Sequence, residues 1–127
     1  MMKLAFFTAT LVAAVLQFVP AQAAGPYDGN WSGAIDATGS HCLGGTLTMQ
    51  ITNNAITGVI GLSAGSVPIK GAVAADGSVS AAYNNPSTGG SSTLTGKISG
   101  SDFAGVLDSK FPSLSITCVR NASAKRS

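Results

Sequence analysis

The sequence has no glutamate, one histidine, one tryptophan and two cysteines in 127 residues, and only 9% of its side chains are charged. Each scarcity removes a class of chemistry. The only carboxylates are Asp28, Asp36, Asp76, Asp102 and Asp108, which stand at turns and at the ends of apolar runs, where aspartate serves local geometry. A glycosidase needs two carboxyls about 5–9.5 Å apart in a cleft, and no such pair is visible. His41 lies between Ser40 and Cys42 without the separate nucleophile and orienting carboxylate of a triad. Two distant cysteines and one histidine are too few for a metal site. Seven Lys and Arg against five Asp leave no basic patch for nucleic acid or an anionic membrane surface. The expectation is a protein that is not an enzyme, with no catalytic residue, metal or cofactor. No ligand-binding residue is singled out.

The first 23 residues have the form of a removable leader. Met1-Met2-Lys3 is a short positive start, the stretch from Leu4 to Val19 is largely apolar, and Pro20 ends it. Ala21-Gln22-Ala23 then supplies the small residues that a signal peptidase accepts. The apolar run is shorter than the roughly 20 residues of a spanning helix, so export without stable membrane insertion is expected. The destination is the periplasm or the external medium. In such a compartment thiols oxidise, and the two cysteines are expected to form one structural bridge, Cys42–Cys118.

Beyond the leader a five-residue template recurs, apolar–x–Gly–x–apolar. It occupies residues 31–35, 56–60, 69–73, 94–98 and 103–107, centred on Gly33, Gly58, Gly71, Gly96 and Gly105. Three further segments keep the alternation around Met49, Ala81 and Ile116. A period of two places the apolar members on one face of a strand, and the intervening Ser, Thr, Lys and Gln on the other. Asn53-Asn54 and Asp76-Gly77 are tight-turn dipeptides between such segments. The pattern predicts an all-β antiparallel meander of about eight short strands, closed as a small up-and-down barrel or curled strongly. Glycine in mid-strand lets a sheet coil and leaves slots for large residues, so the interior should be narrow and filled. Residues 24–120 form the single β domain in this reading, and residues 121–127 a disordered tail. The strands are too short for a membrane barrel.

Gly29-Asn30-Trp31 resembles the Gly-x-Trp that opens the first strand of lipocalins and of avidin-like barrels. In lipocalins that Trp packs across the closed end against an Arg near the final strand. The resemblance implies that Arg120, just after Cys118, pairs with Trp31. The wider pattern, Tyr27-Asp28-Gly29-x-Trp31-x-Gly33 early and Cys118-x-Arg120 late, also resembles small exported bacterial β-proteins. The size, export, Gly-x-Trp opening and single bridge are similar to periplasmic inhibitors of bacterial metalloproteases, whose N-terminal arm enters the protease cleft. Three roles follow as expectations. The first is a non-catalytic binding or envelope-interaction module with an unknown protein or small ligand as partner. The alternatives are a protease inhibitor and a structural or self-assembling envelope subunit.

Overall fold

A computed structural model describes residues 25–39, 42–63 and 65–127. The leader, Ser40 and His41 lie outside the described residues. The elements are β1 (Gly29–Ile35), β2 (Gly45–Thr52), β3 (Ala55–Leu62), β4 (Gly65–Val73), β5 (Ser78–Asn84), β6 (Ser91–Ser99), β7 (Asp102–Phe111), a single 3-10 turn (Pro112–Leu114) and β8 (Ile116–Arg126). Each strand is antiparallel to the next, and β8 returns to pair with β1, so the sheet closes as an eight-stranded barrel. All eight expected strand positions fall within strands.

Alternation explains the interior. Trp31 and Ile35 of β1, Leu47, Met49 and Ile51 of β2, and Leu94 and Ile98 of β6 point inward and are buried, while their neighbours in sequence are largely exposed. The turns follow from residue type. Asn53 and Asn54 both take positive φ, 50° and 66°, the geometry of a two-residue hairpin loop whose twist matches the strands it joins. Asp76 accepts a hydrogen bond from the Ser78 amide at 3.0 Å and fixes the β4–β5 turn.

The mid-strand glycines stand where neighbouring backbones approach too closely for a side chain. A Cβ on Gly33 would overlap the Ser123 carbonyl oxygen of β8, and one on Gly71 would overlap the Ser80 carbonyl oxygen of β5. Gly96 and Gly105 face each other across β6 and β7. The Phe103 ring lies across them, 2.7 Å from where either Cβ would be. The glycines therefore serve both expected purposes, tight coiling and a slot for a ring.

Two expectations about the C-terminal part are corrected. Residues 121–126 are not a disordered tail. They continue β8 and form its pairing with β1, from Ile35↔Ala122 to Trp31↔Arg126. Arg120 does not pair with Trp31. The guanidinium over the indole belongs to Arg126, 5.1 Å from the ring centroid. Both corrections have one cause: β8 begins at Ile116 and runs six residues past the expected domain end at residue 120. Descending from Ile116, it places Cys118 and Arg120 at one end of the barrel and Arg126 beside Trp31 at the other. Cys42, in the connection that leaves β1 at the first of these ends, thus meets Cys118 in a simple meander, with Cα atoms 5.4 Å apart.

The Trp31 end is sealed. Trp31 Nε1 donates to the Tyr27 carbonyl at 3.0 Å, and the Tyr27 hydroxyl donates to the Ala75 carbonyl at 3.0 Å. Arg126 donates to the carbonyls of Pro26 (2.9 Å), Asp28 (3.2 Å) and Gly100 (3.3 Å). One guanidinium thus ties the segment before β1, the β6–β7 turn and the indole. Arg126→Ala is expected to lower stability by about 2 kcal/mol, because charge-assisted hydrogen bonds and a cation–π contact go together. Arg126→Lys should recover little of it, because a point charge cannot fork to three carbonyls. Urea denaturation checks both, and a loss under about 0.5 kcal/mol for the alanine variant, the level of an ordinary surface change, would refute the clamp.

Asp28 belongs to the same end. The backbone N–H groups of Asn53, then those of Gly25 and Asn54, with the positive charge of Arg126, hold its carboxyl below the ordinary aspartate value of 3.8. A depressed folded-state pKa contributes stability that is complete above the unfolded value and is lost as pH falls through the folded one. Asp28→Asn should therefore be less stable than the parent at pH 7, and the gap should be smaller at pH 2, below the ordinary aspartate value. A gap of equal size at both values would exclude the electrostatic role.

Candidate functional site

The opposite end is built differently. The β7–β8 hairpin rises past the last residue of β1, since Ile35 already pairs with Ala122. The β1–β2 connection fills the resulting gap in the wall. The Asp36 amide donates to the Asn121 carbonyl at 2.9 Å, and Thr38 Oγ1 to the Val119 carbonyl at 3.3 Å. The Cys42–Cys118 bridge then fastens this connection to β8.

Inside that wall lies a line of polar side chains. Arg120 is only 4% exposed, Ser109 1% and Ser92 8%. Arg120 Nη1 donates to the Leu43 carbonyl at 2.6 Å and Nη2 to Ser109 Oγ at 2.8 Å. Ser109 Oγ and Ser92 Oγ are 3.0 Å apart. Arg120 Nε is buried without a hydrogen-bond partner. The one ion pair among the described residues joins Lys125 to Asp102 on the outer surface, so no carboxylate compensates Arg120. Burial pulls the pKa of its guanidinium below the usual arginine value.

Ser92 is also part of the lining of a cavity of about 220 Å³ at this end. Val67, Tyr83 and Phe111 supply apolar wall, and Asn85 and Thr88 of the β5–β6 loop stand at its edge. Leu43, Phe111, Leu114 and Val119, all on elements of the same end, are exposed large apolar residues. Two larger hollows, of about 450 and 400 Å³, lie against β1–β3 and against β1, β7 and β8. Their residues include outward-facing Ser, Thr and Gln, and they contain none of the buried polar residues.

The structure joins Cys42 to Cys118 as expected and parts Trp31 from Arg120. No group of three or more metal-ligating side chains occurs among the described residues. The sequence reading missed Ser92, Ser109 and Tyr83. A signal was present: counting by twos from the template glycines, Gly96 back to Ser92 and Gly105 on to Ser109, lands hydroxyls on the inward face. Comparisons with protein-family models, curated proteins and solved structures returned no match, so a functional reading rests on this site itself.

Proposed function

We propose that the protein is an exported, non-catalytic binding module that takes a small ligand at the end of the barrel carrying the disulfide. The observation that supports this reading is the buried line Arg120–Ser109–Ser92, which reaches an apolar-walled cavity with its cation uncompensated. Binding sites pair a mostly apolar lining with a few convergent polar groups, and this end has that composition. The disulfide and the leader-like N-terminus favour an oxidising compartment, the periplasm or the external medium.

The two alternative roles find less support. An inhibitory arm would use the segment before Trp31, but Pro26, Tyr27 and Asp28 are bonded across the sealed end. A self-assembling subunit would offer an open sheet edge, whereas β1 and β8 pair with each other.

The test is a thermal-shift screen of small fragments against the oxidised protein and against Val67→Phe, which adds bulk to the cavity wall. Fragments that raise Tm in the parent and lose that effect in Val67→Phe are the expected result. Shifts of equal size in both proteins, or none in the parent, would remove this reading.

A further inference from the structure

We propose that the ligand is a small monocarboxylate with a short apolar tail, its carboxylate accepting a hydrogen bond from the Ser92 hydroxyl. This rests on the binding role proposed above and adds the chemical class.

The argument begins with what Arg120 does not accomplish structurally. Holding the β1–β2 connection accounts for Nη1, which donates to the Leu43 carbonyl. It leaves Nε without a partner and leaves the charge without a counter-ion. A buried cation in this state is unfavourable unless an opposite charge arrives. The nearest aspartate in sequence on the same hairpin, Asp108, lies between inward Leu107 and inward Ser109, so alternation turns it to the outer face; its Oδ1 is buried there without a hydrogen-bond partner, and it makes no ion pair with Arg120. Asp36, at the start of the β1–β2 connection, makes no ion pair either.

The hydroxyls fix the polarity of the site. Ser109 Oγ accepts from Arg120; either hydroxyl of the Ser109–Ser92 pair can donate to the other, and donation by Ser109 is the direction that leaves no proton stranded on this more deeply buried hydroxyl. Ser92 Oγ then accepts from Ser109, and its proton remains to be donated. Among the described residues no other side-chain hydrogen bond uses it. A cation at one end orders the dipoles of such a chain, and each bond strengthens the next. The chain therefore presents a donor where Ser92 borders the cavity, which selects an acceptor and favours an anionic one.

Size and lining complete the class. A cavity of about 220 Å³ has the volume of about seven waters at roughly 30 Å³ each. Val67, Tyr83 and Phe111 suit an apolar tail and offer no charged group. A short unbranched acid matches both constraints, and hexanoate is a suitable probe.

The oxidised protein, exported with its own leader, is titrated with hexanoate, hexan-1-ol and hexylamine and followed by NMR, including the arginine Nε–H resonances. Only two arginines occur in the sequence, so an Arg126→Lys sample assigns the Arg120 signal. Hexanoate is expected to bind about tenfold more tightly than hexan-1-ol, in line with a charge-assisted hydrogen bond, and to move the Arg120 Nε–H signal. Hexylamine should not bind. Ser92→Ala, a minor change to packing, should bring acid and alcohol within about twofold of each other, because only the donor is lost. Equal binding of acid and alcohol to the parent would overturn the carboxylate assignment and leave the cavity reading standing. Perturbation by none of the three at saturating concentration would overturn both.

Discussion

Gly33→Ala is expected to destabilise the barrel by about 3 kcal/mol or more, the upper range for overpacking, because the added atom meets backbone rather than a movable side chain. Its Cβ would overlap the Ser123 carbonyl oxygen and lie 2.5 Å from the Ala124 Cα. Either β8 moves away from β1 or β1 uncoils. Both responses strain the pairing from Ile35↔Ala122 to Trp31↔Arg126, which closes the barrel. Ala34→Ser, one residue along on the outward face, should stay within about 0.5 kcal/mol of the parent. Urea denaturation of the two variants decides the matter. A Gly33→Ala protein as stable as Ala34→Ser would mean that the seam yields without cost, and the close-approach account of the glycines would fail.

Removing the Cys42–Cys118 bridge has the other large expected effect. The linked residues are 76 apart in sequence, and closing a loop of that length restricts the unfolded chain by about 4.5 kcal/mol in the chain-entropy model. A Cys42→Ala, Cys118→Ala double variant should lose about 3–4.5 kcal/mol, less than the ceiling where the unfolded chain keeps some compactness. Amide exchange should show where the native state pays. Asp36, whose amide is bonded to β8 beyond the β1 pairing, and Thr38, whose amide is bonded to the Cys42 carbonyl, should lose protection before β2 and β3 do. A stability loss below about 1 kcal/mol would show that the closed sheet already restrains this connection.

Most of the architecture was legible because hydropathy and burial alternate together in β1 to β7. Trp31, Gly33 and Ile35 carry the same inward signal in sequence and in space, and Asn53-Asn54 turns where its residue type allows. In β8 the two signals separate. Its buried residues are Cys118, Arg120, Ala122 and Ala124, so the inward face reads as small or charged rather than as large and apolar. Leu114, two residues before Ile116, continues the apolar alternation in sequence, yet it ends the 3-10 turn that starts at Pro112 and is 66% exposed. The apolar alternation therefore points to a strand that begins too early, and the resemblance points to the first arginine where the structure uses the second. The site was illegible for a related reason. A serine on an alternating strand looks like the solvated face until the register is known, and only the register turns Ser92 and Ser109 inward.

Because β1 closes on β8, the strand that leaves the ribosome first is the one that waits longest for its second neighbour. Its outer edge and the Trp31 ring stay uncovered until Arg126 has been made and moved across the membrane in the proposed export. A long-range pairing of this kind slows folding and exposes an unpaired edge meanwhile. Cys42 shares that delay, since its partner also emerges with β8. During translocation its thiol is open to mixed disulfides with other oxidised proteins, and β8 must then displace them by thiol exchange. The barrel's assembly is thus governed by the arrival of its final strand, and so is the redox history of its first cysteine.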